Sequence, residues 1–153
     1  MACQLVTTRG AVFALWGKPE PEDMEQVTVA MEAAAEACGH PVVYVTRVPV
    51  DAPPPDAPAR ARLNELMPRL VRACSTYHVV LEGEGFGAAV KRGILTGIFQ
   101  LSWRRKTFFV HATASEVTRA VGSECRKAVH ELLTTAERRG LLPAPRVRLA
   151  PPL

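Results

Sequence analysis

Apolar positions along the chain recur at two periods, and their alternation predicts a series of strands and helices. Two short β-prone runs, residues 4–8 and 11–16, are separated by Arg9-Gly10, which is typical of a hairpin with a glycine turn. Apolar residues then recur at helical spacing from Met24 to Cys38, after a first turn that holds Pro21 and two acids. Gly39 follows as a usual helix stop. The start of the chain therefore predicts two strands and one helix.

The rest of the chain continues this alternation. Residues 41–50 are largely β-branched and predict a buried strand, followed by a stiff loop with four prolines in nine residues, 51–59. Helical spacing predicts a second helix over 63–74, kinked or started late by Pro68, and a third over 86–103. Strands are predicted at 77–82 and 106–112. The capping-box form of 113–116 predicts one short helix, and a last helix is predicted over about 123–139.

This order, β-β-α-β-α-β-α-β-α-α, predicts an α/β fold with a mostly parallel sheet of four or five strands covered by helices. An antiparallel hairpin opens the sheet. A length of 153 residues fits one domain, which we place at 1–142, with a flexible tail over 143–153.

The same order resembles the STAS fold, the family of anti-sigma-factor antagonists with its SpoIIAA-like and lipid-carrier relatives. The resemblance covers about residues 4–122 and rests on AVFALWGKPEPEDMEQV, PVVYVTRV and FFVHATASEVTRAVG. It implies a bacterial regulatory or protein-interaction module without catalysis. Phosphorylated members carry a Ser or Thr in the loop after the third strand, where phosphate charge switches partner binding. Loop 51–59 holds neither residue, so the resemblance implies a variant that cannot be phosphorylated there.

A glycine-rich turn, VVLEGEGFGA at 79–88, matches the spacing of dinucleotide-binding turns. In dinucleotide-binding proteins this fingerprint lies in the first strand–helix unit and is followed by an acid about twenty residues later. Here it follows the fourth predicted strand, and Arg104 and Arg105 stand where the acid would be. We therefore interpret the glycines as allowing a tight turn and predict no cofactor. The backbone of Gly85 and Gly87, with Arg104 and Arg105, is retained as an alternative anion site.

The rim beside this turn is the predicted working surface. An exposed Phe86 between glycines would anchor a protein partner, and nearby cations would favour an acidic one. The predicted partner-binding residues are Glu82, Glu84, Phe86, Lys91, Arg92, Asp51 and Asp56. A homodimer is left open.

Charge and composition narrow the function classes. Residues 1–82 carry seven Lys/Arg against ten Asp/Glu, and residues 83–153 carry twelve against five, which sums to the net charge of +4. Nine aromatic residues give little scope for base stacking, so nucleic-acid binding is disfavoured. The longest apolar run is about half a membrane span, and no secretory signal is visible, so a cytoplasmic protein is expected.

Chemistry-bearing residues show no catalytic or metal-binding spacing. The four cysteines contain no C-x-x-C pair, and Cys38, Cys74 and Cys125 fall on apolar helical faces, typical of small buried thiols. The four histidines are scattered; His111, at a predicted strand end, is the best placed to reach a site, although a structural role is favoured. The prediction is therefore a protein-binding module without catalysis, with no metal. The alternative is a carrier of a small apolar ligand or lipid, and an enzyme is the third choice.

Overall fold

The computed structural model describes residues 3–83, 88, 91–92 and 108–143. The strands in these ranges are β1 (Cys3–Thr8), β2 (Ala11–Trp16), β3 (Val42–Val48), β4 (Cys74–Leu81) and β5 (Phe108–His111). The helices are α1 (Pro21–Cys38), α2 (Ala57–Ala73), α3 (Ala114–Ala120) and α4 (Ser123–Arg138). Most of the predicted helix over 86–103 and nearly all of the predicted tail lie outside the described residues; the described residues of that helix, Ala88, Lys91 and Arg92, are helical.

The five strands form one sheet in the order β1-β2-β3-β4-β5. The β1–β2 hairpin is antiparallel, and every later pair is parallel. Gly10 has a φ of 91° in the hairpin turn, a conformation that glycine adopts without a steric penalty. The prediction of an α/β fold with a mostly parallel sheet and an opening hairpin is therefore confirmed.

Alternate residues of the strands build two separate apolar cores on the two faces of the sheet. On the first face, α1 and α2 pack against Val12, Tyr44 and Val79. On the second face, α3 and α4 pack against Phe13, Val45 and Val80. Strands β1 to β4 thus contribute to both cores, as expected where helices cover a parallel sheet on both sides, and β5 contributes Phe108 to the first.

Helix α1 begins and ends where the sequence predicts. Pro21 occupies the first turn with Glu22 and Asp23 beside it, which suits the positive end of the helix dipole. Gly39 closes the helix with a φ of 75°, and its N–H donates to the Ala35 carbonyl at 2.9 Å. One side of α1, which includes Val27 and Met31, is buried against the sheet.

The predictions for α2 are wrong at both ends. The helix begins at Ala57, six residues before the predicted start, because the Asp56 carboxylate accepts a hydrogen bond from the Ala59 N–H at 3.0 Å and caps it. Pro68 lies inside the helix rather than at its start. Cys74 does not belong to a helical face: it is the first residue of β4. The polyproline loop is correspondingly shorter than 51–59.

The predicted capping box at α3 is only half present. Glu116 reaches back as expected, but its carboxylate accepts from the Ala112 N–H at 3.0 Å rather than from the N-cap residue. The Thr113 side chain does not cap the helix and instead lies 3.0 Å from the Ser115 hydroxyl. Helix α4 begins at Ser123 as predicted, and Gly140, with a φ of 71°, follows its end.

Candidate functional site

An apolar pocket of about 630 Å³ lies on the α1–α2 face of the sheet, at the carboxyl ends of the parallel strands. The strand residues that line it include Trp16 at the end of β2, Val48 at the end of β3 and Leu81 at the end of β4. Ligands of open α/β sheets gather at this edge, because the strand ends and following loops leave a crevice there. The pocket is therefore both the right size and in the right place for a small-molecule site.

The walls of the pocket come from three sources. The sheet supplies the floor with Tyr44, Tyr77 and Val79. Helix α1 supplies Met24 and Val27, and α2 supplies Leu63, Met67 and Leu70, along with the more polar Arg60 and Asn64. The loop at 49–56 between β3 and α2, here called the proline loop, closes one side of the pocket. Its lining residues are Pro49, Val50, Ala52, Pro53, Pro54 and Pro55. Three strands, two helices and one stiff loop thus surround a mostly apolar space.

The floor holds two stacked tyrosines whose hydroxyl groups have protein partners. The rings of Tyr44 and Tyr77 lie 4.7 Å apart and nearly parallel. The Trp16 side chain partly offsets the rise in the Tyr44 pKa, and Thr46 Oγ1 donates to the Tyr77 hydroxyl at 3.3 Å. Burial raises the pKa of Tyr77 to about 12 and holds that of Tyr44 well above its ordinary value. Both phenols are therefore neutral at physiological pH, and the floor carries no charge from them.

The rim of the pocket carries positive charge. Arg60 donates to the Pro55 carbonyl at 3.0 Å, and Lys91 Nζ donates to the Val50 carbonyl at 2.6 Å. Both cations are exposed and both are held at the proline loop. Among the lining residues that the structure describes, none is a carboxylate.

Most of the predicted partner-binding residues that the structure describes make contacts within the chain. Glu82 pairs with Arg47, with Nε and Oε2 3.0 Å apart. Arg92 donates to the carbonyl groups of Leu81 and Gly83 at 3.0 and 3.2 Å. Asp56 caps α2, and Asp51 is exposed in the loop. Only Lys91 among them lines the pocket, and their role in binding a partner stays a prediction.

The other residues of the predicted surface lie outside the described part of the chain. They are Glu84, Gly85, Phe86, Gly87, Arg104 and Arg105. Gly83, the first glycine of the turn, is described: its φ is 137°, and a Cβ placed there would lie 3.1 Å from the Ala88 Cβ and 3.4 Å from Val50 Cγ2. Both the backbone conformation and the space thus require glycine, which supports the tight-turn interpretation at this position.

A polar cluster separate from the pocket lies on the α3–α4 face, and the sequence pattern did not reveal it. His78 and His111 stand on the neighbouring strands β4 and β5, with His78 Nδ1 2.9 Å from His111 Nε2. Thr76 Oγ1 is 3.0 Å from His78 Nε2, and Glu116 Oε2 is 3.8 Å from His111 Nδ1. Neutral rings satisfy this chain if Thr76 donates to His78, and His78 donates to His111.

Burial controls the charge of this histidine pair. It lowers the pKa of His78 to about 4, with a smaller contribution from His111. The pKa of His111 is also lowered by burial, although the Glu116 carboxylate opposes the shift. Within the described ranges, no group of three His, Cys, Asp or Glu side chains is arranged to hold a metal ion. The geometry is that of a buried, neutral hydrogen-bonded pair.

Sequence reasoning missed the pocket and the histidine pair for the same reason. His78 and His111 are 33 residues apart, and only the β4–β5 register, which pairs Val80 with His111, brings them together. The pocket likewise joins residues from 16 to 91. One sequence feature could have indicated the pocket: the predicted strands end beside a stiff proline loop, at the edge of the sheet where ligands usually bind.

Comparison with known proteins leaves the chain without an assigned family: no family model, curated protein or solved structure matches it. The STAS resemblance therefore stays a prediction. No described helix has the length and apolar character needed to cross a membrane.

Proposed function

We propose that this protein binds a small apolar molecule in the pocket at the carboxyl ends of its strands. The observation that carries the proposal is the pocket itself: about 630 Å³ bounded by Trp16, Tyr44, Met67, Tyr77 and their neighbours. Ligand sites usually have volumes of about 300–1,000 Å³ and mainly apolar walls with a few polar groups. The proposal includes binding only and no chemical step.

Close packing elsewhere in the fold supports this proposal. Protein interiors are filled nearly as densely as organic crystals, and their voids are few and small. On the opposite face of the same sheet, Phe13, Val45, Val80 and Leu132 are all fully buried. A wide apolar space beside such a core costs contacts that a bound apolar molecule would restore.

The neutral floor also favours an apolar ligand. The Tyr77 hydroxyl already accepts a hydrogen bond from Thr46, and the Trp16 side chain interacts with the Tyr44 hydroxyl. A polar ligand that displaced water from the floor would gain little there and lose its own hydration. An apolar ligand loses no hydrogen bonds on entry and gains contact with two aromatic rings.

Blocking the pocket tests the proposal. Leu63→Trp places a large side chain at the pocket wall on α2, and we expect it to weaken binding of the neutral fluorophore N-phenyl-1-naphthylamine at least tenfold. The matched control is Val71→Trp on the same helix, because Val71 is 40% exposed and does not line the pocket. Fluorescence titration measures both affinities, and the melting temperature shows that both variants fold.

Two results would contradict the proposal. One is a wild-type protein that gives no saturable fluorescence change; the other is an equal loss of affinity in Leu63→Trp and Val71→Trp. A dimer that dissociates in Leu63→Trp but not in Val71→Trp, measured by sedimentation, would instead assign the pocket to a second copy of the chain.

Binding of a protein partner at the surface beside the glycine-rich turn 79–88 is a separate proposal, which the sequence alone suggests. It rests on Phe86 and the charges around it, and the STAS-like regulatory role rests on the strand and helix order. The pocket favours the small-molecule alternative, because its walls lie within the described residues and form a concave, mostly apolar site. Phe86→Ala tests the partner proposal separately from Leu63→Trp.

A further inference from the structure

We infer that the ligand is an amphiphile with one negative charge: its apolar body lies in the pocket and its anionic group lies at the rim beside Arg60 and Lys91. This inference rests on the proposed function, because it specifies the chemical class of the molecule in the same pocket. The observation that carries it is the sign of the rim charge.

The charges of the described lining residues have one sign, and the two acids of the adjoining loop, Asp51 and Asp56, are not among those residues. The described lining includes two cations, Arg60 and Lys91, and no carboxylate. Each cation donates to a carbonyl group of the proline loop, Arg60 to Pro55 and Lys91 to Val50, so the loop holds both side chains at the same rim. Neither of these contacts neutralises a charge, because the acceptors are carbonyl groups. An anion would complement both cations, whereas a cationic ligand would be repelled.

The position of Arg60 strengthens this interpretation. It lies in the first turn of α2, which contains no acidic residue. The positive end of the helix dipole favours anions there and disfavours cations, so the dipole does not account for an arginine at this position. A bound anion would interact favourably with the guanidinium, whereas the helix end itself is already capped by the Asp56 carboxylate.

The interior of the pocket shows where the rest of the ligand lies. Its floor is formed by Tyr44, Tyr77 and Val79, and the two phenols are neutral with pKa values raised by burial. A charged group placed at the floor would lose its hydration without a counter-ion. The charged group therefore stays at the rim, and only the apolar body enters.

Three probes with the same ten-carbon chain test the inference: decanoate, decanol and decyltrimethylammonium. We expect decanoate to bind the wild-type protein more tightly than decanol, and decyltrimethylammonium to bind most weakly. Isothermal titration calorimetry at neutral pH, below the micelle concentration of each probe, measures the three affinities. Added salt should weaken decanoate binding and leave decanol binding unchanged, because only the charged contact is screened.

Matched variants assign the effect to the rim. The double variant Arg60→Gln/Lys91→Gln should lower decanoate affinity about three- to tenfold, the size expected for two exposed charge contacts, and leave decanol affinity unchanged. Arg72→Gln is the control, because it removes a charge from the same helix away from the pocket. We expect it to change neither affinity.

The outcomes separate this inference from the proposed function. Equal binding of decanoate and decanol, with no change in the double variant, overturns the inference and leaves the pocket as an apolar site. Tighter binding of the cation overturns it as well. If decanoate, decanol and the neutral fluorophore all fail to bind, both the inference and the proposed function are wrong.

Discussion

The two faces of the sheet are built from the same kinds of residues but are completed differently. On the α3–α4 face, Phe13, Val45, Val80 and Leu132 form a filled core with almost no exposed surface. On the α1–α2 face, Val12, Tyr44 and Val79 also pack into a core, but this core opens at the strand ends into a pocket of about 630 Å³. The α3–α4 face is thus filled, and the α1–α2 face leaves the pocket in which we propose that a ligand binds.

The difference lies in the elements that cover each face rather than in the strands. Strand β3 alternates between the two cores: Val42 and Tyr44 belong to one, and Val43 and Val45 to the other. Helix α4 places Leu132 and Ala136 directly on the sheet. Helices α1 and α2, in contrast, border the pocket with Met24 and Leu63, beyond which the space is open.

Truncation of one large side chain on each face should give the largest contrast. Leu132→Ala removes a fully buried side chain, and we expect it to lower the free energy of unfolding by about 2–5 kcal/mol. Met67→Ala removes a half-buried side chain that already borders open space, so its cost should be about 1 kcal/mol. Urea denaturation measures both values.

The ligand sharpens this first comparison. A molecule that fills the pocket should increase the stability of the wild-type protein, since it binds only the folded state. Equal costs for Leu132→Ala and Met67→Ala in the absence of ligand would mean that both faces are equally filled, and the contrast between them would be wrong.

Acid should destabilise the filled face through its buried histidines. The pKa of His78 is about 4 in the folded protein because of burial, against an ordinary value of 6.5 in the unfolded chain. The unfolded chain therefore takes up a proton that the folded protein refuses, so this stability is complete above pH 6.5 and is lost as the pH falls to about 4. The full effect is about 3 kcal/mol.

A His78 variant separates the contribution of this histidine to acid sensitivity from that of the carboxylates, which also take up protons in acid. His78→Asn should flatten the loss of stability between pH 6.5 and about 4, whereas His40→Gln, at an exposed position, should leave the wild-type profile unchanged. Chemical denaturation at a series of pH values measures the three profiles. Parallel profiles for wild-type and His78→Asn proteins would show that His78 is not the group responsible.

The sequence predicted the elements of both faces but not what they enclose. Gly10, Pro21 and Gly39 act within a few residues of themselves, so the hairpin and α1 could be read from local chemistry. The His78–His111 pair depends on strand register across 33 residues, and the pocket depends on how α2 sits on the sheet. Periodicity carries neither kind of information.

The helix caps give a smaller contrast between the two faces. Asp56 caps α2 on the open face through the Ala59 N–H, so Asp56→Ala should lower stability by about 1 kcal/mol. Thr113 precedes α3 on the filled face but makes no cap with its side chain, so Thr113→Ala should cost clearly less. Thermal unfolding of the two variants measures the difference. A larger loss for Thr113→Ala would mean that its contact with Ser115, rather than capping, matters for α3.

The smallest expected effect concerns the ion pairs that join α1 to α2 on the open face. Arg69 contacts Glu25 at 3.1 Å and Glu32 at 2.5 Å, and Arg62 contacts Glu25 as well. The hydrogen bond from Arg69 is the largest cause of a lowered pKa at Glu25, and Arg62 lowers this pKa as well. The side chains are about two-fifths exposed, so solvent screens the attraction. Arg69→Gln should therefore lower the melting temperature less than Asp56→Ala does.

Salt distinguishes charge from packing in this network. If the ion pairs act through charge, high salt should lower the melting temperature of the wild-type protein towards that of Arg69→Gln, and the difference should vanish. A difference that persists in high salt would instead mean that the apolar stem of Arg69 packs between the helices. In that case the two helices over the pocket are held by contacts much like those of the filled face. The two faces would then differ only in the pocket itself.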